Sequence, residues 1–281
     1  MDQRLFRISS ANFTLLCIAL IVLLFMSAVR QKIVDQFVYY PMPYPQGEWE
    51  LQREAGAQDR WLKAADGTRI NAWWFPKPDA HFATLFLHGN AGNVTHRIDH
   101  ALEILEAGSA FLVVDYRGYG KSQGYPSERG LYEDGDAAYA DLLALGYKPD
   151  QIILQGESLG TAVAVDLAAR KRCAGLILES PLKSLRAMAG KVLPVVGPLL
   201  AHGFDTGTKI SRVHAPLLII HGDADEIVPF SQGQAVFQAA NQPKQFWPVA
   251  GAHHNDLLDK AGPEYITRLR AFYQSISRKA Y

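Results

Sequence analysis

The sequence predicts an α/β fold, in which a mostly parallel sheet carries helices on both faces, preceded by an N-terminal transmembrane helix. Short apolar runs alternate with helical patterns from residue 61 to residue 281, and this alternation is typical of right-handed β–α–β crossovers. The apolar runs are continuous, as expected of strands that are covered on both faces. No internal repeat interrupts the segment, so we interpret it as one domain.

The N-terminal helix is predicted from residues 13–29, which contain no charged side chain and are mainly Leu, Ile, Val, Phe and Ala. A helix of this length covers about 25 Å, near the short end of what spans a bilayer. Arg4 and Arg7 precede it in the tail 1–12, as in a signal anchor. Met26-Ser27-Ala28 does not supply small side chains at both positions needed for cleavage. We therefore expect an uncleaved anchor; the alternative is a buried core helix.

The connector 30–60 joins this helix to the domain. Two basic residues, Arg30 and Lys32, follow the apolar run, and two others, Arg4 and Arg7, precede it. The positive-inside rule therefore favours neither orientation of the helix in the membrane. Our expectation is that the domain lies outside the cytoplasm. The Pro-rich stretch 41–45 within the connector is typical of a stiff, extended spacer.

The elements of the domain follow from its hydrophobic pattern. The turn signal Asp66-Gly67 precedes the first strand. The predicted strands are 69–75, 83–88, 110–115, 151–155, 175–179, 216–221 and 244–249. The predicted helices are 94–107, which ends at Gly108, then 131–145, 159–170, 232–240 and 257–277. In such a sheet, polar residues that follow the strands meet at one edge, where chemistry is expected.

A candidate nucleophile follows the strand 151–155. Gly156-Glu157-Ser158-Leu159-Gly160 is a Gly-x-Ser-x-Gly pattern between a strand and a helix. Small residues are needed on both sides of the serine, because the sharp turn brings the strand and the helix into close contact. Ser158 would lie at a helix N-terminus, where N–H groups and the helix dipole favour developing negative charge. The alternative is a serine in an ordinary Gly-rich turn.

A serine nucleophile needs a base and an acid that orients the base, and both are expected downstream in the order Ser-Asp-His. Asp223 and Asp225 follow the strand 216–221, and His253 and His254 follow the strand 244–249. Neighbouring loop residues rarely point the same way, so one member of each pair is expected to serve. Asp225 is favoured, because Asp223 is close to the strand end and can simply brace the turn.

An oxyanion hole is predicted from the loop that follows the strand 83–88. The glycines of His88-Gly89-Asn90-Ala91-Gly92-Asn93 allow a backbone N–H to turn toward the active centre. The backbone N–H groups of Asn90 and Leu159 would then bind the tetrahedral intermediate. A phosphate-binding loop is a poor alternative, because no Gly-Lys-Ser/Thr follows.

Five motifs in one order resemble those of the α/β-hydrolase superfamily. They are 88–93, 115–122 (Asp-Tyr-Arg-Gly-Tyr-Gly-Lys-Ser), 156–160, 221–229 and 253–256. The chain is most similar to the membrane-anchored serine hydrolases of that superfamily, which include protein depalmitoylases and uncharacterised bacterial members. The resemblance covers about residues 60–277 and implies an eight-stranded sheet, with Asp225 as the acid and His254 as the base. It also implies that 115–122 is mainly a structural loop beside the pocket. His253 departs from the family pattern, which usually has a small residue there.

The insertion 180–212 interrupts the alternation of strands and helices, where the family inserts a cap over the pocket. It is short, so we expect an accessible site. Its apolar side chains either line an acyl site or face a bilayer, or they only pack on the domain. These residues are Met188, Val192, Leu193, Val195, Val196, Leu199 and Leu200.

Composition excludes several other classes of protein. The chain has 281 residues with 28 basic and 28 acidic side chains, and this neutral balance argues against nucleic-acid binding. Cys17 and Cys173 provide neither a disulfide framework nor a cysteine zinc site. We expect no cofactor and no metal, since no His/Asp/Glu cluster has ligand spacing on one face.

Together these features predict a serine hydrolase that cleaves an ester or thioester of an acyl or lipid-like substrate, with Ser158, His254 and Asp225 as its triad. The expected partners are the ester substrate and, through the N-terminal helix, a membrane. A peptidase on the same triad and a catalytically silent, membrane-tethered binding module are the alternatives.

Overall fold

The computed structural model of the protein describes residue 32 and residues 34–277, which fall into two units that meet in the sequence between Val38 and Tyr39. In the first unit, residues 34–38 are helical. The predicted transmembrane segment 13–29 lies outside the described residues. Among the residues described, no helix combines the length and the apolar character needed to cross a bilayer. The second unit begins at Tyr39, earlier than the domain start at residue 61 that the sequence indicated.

The second unit is built on an eight-stranded sheet. The strands are β1 (Gln58–Lys63), β2 (Arg69–Phe75), β3 (Phe82–Leu87), β4 (Ser109–Val114), β5 (Ile152–Glu157), β6 (Gly175–Glu179), β7 (Leu217–Gly222) and β8 (Lys244–Val249). Their order in the sheet is β1-β2-β4-β3-β5-β6-β7-β8. The pairs β1–β2 and β2–β4 are antiparallel, and the other neighbours are parallel. The prediction of a mostly parallel sheet is confirmed.

Helices cover both faces of this sheet. They are α1 (Leu51–Glu54), α2 (Ile98–Ala107), α3 (Glu128–Ala144), α4 (Leu159–Arg170), α5 (Leu185–Val192), α6 (Gly197–Leu200), α7 (Thr206–Lys209), α8 (Phe230–Ala239), α9 (Leu257–Ala261) and α10 (Pro263–Ser277). α2 packs on α10, where the buried core includes Phe86, Phe111 and Phe272. α3 packs on α4, and both contact the central strands. The fully buried strands β3 and β4 explain why their sequences are apolar throughout.

The part of the chain predicted to be a plain connector contains regular structure. Residues 58–60 belong to β1, which pairs with β2 across the Asp66-Gly67 turn. β1 is an edge strand with one fully buried side chain, Leu62, so it lacks the continuous apolar run that marks the inner strands. Tyr40–Pro41 pairs in parallel with Ala91–Gly92. The Pro-rich stretch is therefore part of the folded domain, which corrects its interpretation as a spacer.

Of the five predicted helices, 159–170 has the predicted bounds, and two of the other four differ for a clear physical reason. α3 begins three residues early, at Glu128, because the Ser127 side chain accepts a hydrogen bond from the Gly130 N–H and caps the helix. The predicted helix 257–277 is divided into α9 and α10. Gly262 has a positive φ of 50° and Pro263 follows it, and this pair ends one helix and begins the next.

Candidate active site

Ser158 lies in the sharp turn between β5 and α4. Its φ is 49° and its ψ is −116°, a conformation that is strained for a residue with a side chain. The Ser158 N–H donates to the Glu179 carbonyl oxygen at 2.9 Å, which fixes the turn to β6. A Cβ at Gly156 would lie 2.5 Å from the Gly160 oxygen, and one at Gly160 would lie 1.9 Å from the Leu87 oxygen. The two glycines of the motif are therefore required by close backbone contacts.

The structure brings together the three side chains expected to form a triad. The Ser158 Oγ lies 3.1 Å from the His254 Nε2. The other ring nitrogen of His254, Nδ1, lies 2.8 Å from the Asp225 Oδ2. The carboxylate of Asp225 is fully buried, and the His254 ring is largely covered. A hydroxyl, an imidazole and a carboxylate linked in this order can activate the hydroxyl by proton transfer to the imidazole.

The surroundings of Asp225 keep its carboxylate ionised and fixed. Burial alone would raise the pKa of Asp225, but hydrogen bonds from His221 and His254 hold the pKa well below its usual range. The His221 Nε2 lies 3.4 Å from the Asp225 Oδ2. The other oxygen, Oδ1, accepts the N–H groups of Ile227 and Val228 at 2.9 and 2.8 Å. The carboxylate therefore presents Oδ2 to His254.

The two competing residues have other partners. Asp223 accepts the Gly251 N–H at 2.7 Å and so braces the turn that follows β8. The His253 Nδ1 lies 2.9 Å from the Glu226 Oε2, and both side chains are more than half exposed. Glu226 was not singled out from the sequence, because an acidic residue in a polar loop gives no signal by itself. From each pair of candidates the structure therefore joins one residue to Ser158: His254 directly, and Asp225 through His254.

The loop after β3 passes directly over Ser158. A Cβ at Gly89 would lie 3.5 Å from the Ser158 Cβ, an ordinary van der Waals distance, so this part of the loop is a direct neighbour of the nucleophile. Asn90 is the next residue in the loop, and Leu159 is the first residue of α4. The backbones of the two residues expected to form an oxyanion hole thus come from segments that adjoin Ser158 on either side.

A buried polar network surrounds Glu179, the residue whose carbonyl oxygen accepts the Ser158 N–H. The Glu179 side chain accepts hydrogen bonds from the Tyr265 hydroxyl at 2.6 Å and from the Gln155 amide, and its Oε2 lies 3.1 Å from the His100 Nε2. Burial lowers the pKa of His100, but the charge of Glu179, the hydrogen bond to Glu179 and the charge of Glu157 together outweigh burial and raise the pKa. Glu179 is the single polar residue of β6, and Gln155 follows three apolar residues in β5. Such polar positions in buried strands are the signal by which the sequence could have revealed this network.

Glu157, the residue before the nucleophile, is occupied by an ion pair. Its Oε2 lies 2.8 Å from the Arg97 Nε and accepts the Gly89 N–H at 3.2 Å. Burial would raise the pKa of Glu157, but the positive charge of Arg97 and the nearby histidines lower the pKa to about 2. This carboxylate therefore stays ionised and does not offer a proton for acid catalysis.

The cap, residues 180–212, contains three short helices, of which α5 and α6 are in close contact. A Cβ at Gly197 would lie 2.2 Å from the Ala189 oxygen. Lys191 joins the cap to the loop that holds Asp225, through hydrogen bonds to the Glu226 and Ile227 carbonyls. Around this junction lies a group of exposed apolar side chains, which we call the cap patch: Val192, Leu193, Val195, Val196, Leu199, Leu200 and Ile227. Of the sequence alternatives for the cap, packing on the domain does not account for these residues.

No group of His, Cys, Asp and Glu side chains within the described ranges could hold a metal ion.

The chain is similar to several known proteins. Residues 78–208 match the family model Hydrolase_4, described as serine aminopeptidase, S33. The chain is 38% identical over 246 residues to an uncharacterized protein of Mycobacterium tuberculosis, covering 84% of this chain and 86% of that protein. It is 34% identical over 230 residues to the human alpha/beta hydrolase domain-containing protein 17B, covering 80% of this chain and 78% of that protein. Among solved structures, the Pyrococcus furiosus esterase Pf2001 superposes with a TM-score of 0.70 at 19% identity, covering 84% of this chain and 98% of that one.

Proposed function

Since the chain belongs to the α/β-hydrolase superfamily, together with the alpha/beta hydrolase domain-containing 17B proteins, we propose that it is a serine hydrolase acting on carboxylic esters or thioesters. The observation that carries the proposal is the continuous hydrogen-bonded series from Ser158 through His254 to Asp225. The structural neighbour from Pyrococcus furiosus is described as an esterase, and that activity is consistent with the proposed reaction.

In the proposed first half-reaction, the Ser158 Oγ attacks the carbonyl carbon of the substrate while the His254 Nε2 takes the hydroxyl proton. Asp225 accepts the Nδ1–H of His254, which keeps the ring in the tautomer that leaves Nε2 free to accept the proton. The same carboxylate stabilises the imidazolium that forms. The backbone N–H groups of Leu159 and Asn90 would bind the developing oxyanion, and each such donor contributes about 10²–10³-fold in kcat.

Collapse of the intermediate releases the alcohol or thiol, which takes its proton from the His254 Nε2–H, and leaves the acyl group on the Ser158 oxygen. In the second half-reaction, a water molecule gives a proton to the same nitrogen and attacks the acyl-enzyme. The carboxylic acid leaves, and Ser158 and His254 return to their starting protonation states. Every proton moves between Nε2 and an oxygen or sulfur atom, so the described side chains complete the cycle.

The substrate is proposed to carry an apolar acyl part. The cap patch exposes large aliphatic side chains beside the loop that holds Asp225; for example, Val192 and Val195 are 76% and 80% exposed. An aliphatic surface of this kind is stabilised when an acyl chain covers it, since about 25 cal/mol is gained for each Å² of apolar area removed from water. An acyl chain on the cap patch would bring the carbonyl group of a lipid-like ester toward Ser158.

Labelling with a fluorophosphonate probe tests the proposed nucleophile. The wild-type protein is expected to be labelled, because the probe phosphonylates an activated serine, and Ser158→Ala is expected to remain unlabelled. Ser184→Ala is the matched control, since Ser184 caps α5 through its side chain and lies outside the triad; it should be labelled like the wild type. A folded wild-type protein that takes no label would support a catalytically silent binding module.

The class of substrate is tested separately with p-nitrophenyl esters of increasing chain length, an acyl thioester and a peptide amide. We expect hydrolysis of the esters and the thioester, with kcat/KM rising with chain length. Faster cleavage of the amide than of the esters would instead favour a peptidase, in keeping with the description of the matching family as serine aminopeptidase.

We further propose that residues 13–29 anchor the protein in a membrane, with the hydrolase domain outside the cytoplasm. The proposal is supported by the uncharged apolar sequence, in which a helix would cover about 25 Å. The full chain should stay in the membrane pellet after carbonate extraction, and Leu20→Arg/Leu23→Arg should shift it to the supernatant. Recovery of the full chain in the supernatant would contradict the anchor. Resistance of the domain to protease added outside sealed, right-side-out membrane vesicles would contradict the proposed side.

A further inference from the structure

Three successive peptide groups in the loop after β3 are held by hydrogen bonds. They join residues 88 to 89, 89 to 90 and 90 to 91. The middle group carries the N–H of Asn90, which is the proposed oxyanion donor. Its carbonyl, at Gly89, lies 2.7 Å from the His88 Nδ1. This contact restrains the middle group directly, and the peptide groups on either side of it restrain it further.

The peptide group that precedes it is fixed at both ends. Its carbonyl oxygen, at His88, accepts the Tyr116 hydroxyl at 3.2 Å. Its N–H, at Gly89, donates to the Glu157 Oε2 at 3.2 Å. Glu157 is itself held by Arg97. This peptide plane therefore has little freedom to rotate.

The peptide group that follows is held by two donors on one oxygen. The Asn90 carbonyl accepts the Tyr119 hydroxyl at 2.8 Å and the Tyr40 backbone N–H at 2.9 Å. Tyr40 belongs to the short strand that pairs with Ala91–Gly92, so this bond is part of a parallel ladder. The loop after β3 is thus hydrogen-bonded both to the segment that contains Tyr40 and to the 115–122 loop.

The side chains of Tyr116 and Tyr119 are held in place by their surroundings. Their rings are fully buried, and they pack around the His88 ring with centroid distances of 4.5 Å for Tyr116 and 5.3 Å for Tyr119. Burial raises the pKa of both hydroxyls, so each remains a hydrogen-bond donor throughout the working pH range. Their hydroxyl groups are therefore fixed donors aimed at backbone carbonyls.

We propose that Tyr116 and Tyr119 are positioning residues for the reaction, because they hold the peptide groups on either side of the Asn90 N–H in the orientation that binds the oxyanion. The inference rests on the proposed function and assigns a role to the Asp-Tyr-Arg-Gly-Tyr-Gly loop beyond that of scaffold. Glycines at 89 and 92, the second with a φ of 83°, leave this loop few restraints of its own. A donor that drifts by about 1 Å can cost up to 10²-fold in rate.

The test is a series of three tyrosine-to-phenylalanine variants, each of which removes one buried hydroxyl and keeps the ring. Tyr119→Phe is expected to lower kcat for a p-nitrophenyl ester about tenfold, with KM nearly unchanged. Tyr116→Phe is expected to lower kcat less, because Glu157 still holds the same peptide group. Tyr139→Phe is the matched control: its hydroxyl donates to the Arg172 carbonyl at 2.6 Å, away from the site, and kcat should stay at the wild-type value.

A merely structural role is distinguished by two further measurements. All three variants lose one hydrogen bond and should have similar melting temperatures, so a fall in kcat confined to Tyr116 and Tyr119 is not a stability effect. The inhibition constant of an alkyl boronic acid, which forms a tetrahedral adduct with the serine oxygen, should rise with Tyr119→Phe by the same factor as kcat falls.

Unchanged kcat in Tyr119→Phe, in a wild type that hydrolyses esters, would overturn the positioning role and leave the proposed function standing. A fall in kcat that Tyr139→Phe shows equally would also overturn it. A wild type that neither hydrolyses esters nor takes a fluorophosphonate label would remove the proposed function and this inference together.

Discussion

Asp225→Asn is expected to lower kcat for ester hydrolysis by about 10⁴-fold while KM changes little. The reason lies in the orientation that the new amide must take. The N–H groups of Ile227 and Val228 both donate to the Oδ1 position, so the amide oxygen has to occupy it. The amide NH₂ group then faces the His254 Nδ1, where the carboxylate oxygen lies at 2.8 Å in the native protein.

An amide donor at this place forces the wrong tautomer on His254. Its Nδ1 must accept a hydrogen bond, so the ring proton moves to Nε2 and faces the Ser158 hydroxyl. In that state Nε2 has no lone pair with which to take the proton of the nucleophile. The fold should be preserved, since the hydrogen bonds to the two N–H groups remain and the side chains have nearly the same volume.

Asp223→Asn is the matched control for this variant. Asp223 accepts the Gly251 N–H through one carboxylate oxygen and has no contact with His254 among the described hydrogen bonds. An amide oxygen can accept the same bond, so kcat and KM should stay close to the wild-type values. The two variants are compared by measuring kcat and KM for an ester in the steady state, and denaturation curves confirm that both are folded. Equal losses in both, or a loss in Asp223→Asn alone, would contradict the assignment of the acid.

The sequence allowed the catalytic side chains to be predicted because each follows a predicted strand, and the strands before Ser158 and Asp225 have continuous apolar runs. Buried parallel strands have a strong hydrophobic signal, and their carboxyl ends meet at one edge. Ser158, Asp225 and His254 follow β5, β7 and β8 in that way. The choice between Asp223 and Asp225 depended on turn geometry, which a linear pattern shows only weakly.

Contacts between distant segments could not be predicted in the same way. The pairing of Tyr40 with the loop after β3 uses main-chain groups, which are identical in every residue except proline and therefore leave no trace in the side-chain pattern. The Glu226–His253 pair lies on the surface, where a charge is usual. β1 was missed because an edge strand with mostly exposed side chains lacks the signal of an inner strand. The cap was located, but its short helices depend on packing rather than on local propensity.

Gly160→Ala is expected to lower the free energy of unfolding by about 3 kcal/mol and to abolish most of the activity. The added methyl group would lie 1.9 Å from the Leu87 carbonyl oxygen and 2.6 Å from that of His88. Both are backbone atoms, so no side chain can rotate away. Leu87 is also paired with Gly156 in the sheet, which prevents β3 from moving independently of β5.

The remaining way to relieve the overlap is a shift of α4 away from the sheet. Ser158 precedes this helix directly, and its hydroxyl would move away from the His254 Nε2, from which it lies 3.1 Å in the native protein. The added methyl group would also overlap the carbonyl oxygen of His88, which lies at the start of the loop that carries Asn90. Stability and activity should therefore fall together, as measured by chemical denaturation and by kcat for an ester.

Gly135→Ala provides the contrast, because Gly135 also lies within a helix that packs on the domain. Its added methyl group would lie 3.1 Å from the Val163 Cγ1, which is a side-chain atom that can yield by a few tenths of an ångström. Alanine is favoured over glycine in a helix by about 1 kcal/mol, and this gain offsets the crowding. Gly135→Ala should thus have nearly the wild-type free energy of unfolding and kcat. Similar behaviour of the two variants would mean that the turn at Ser158 does not depend on direct contact between α4 and the end of β3.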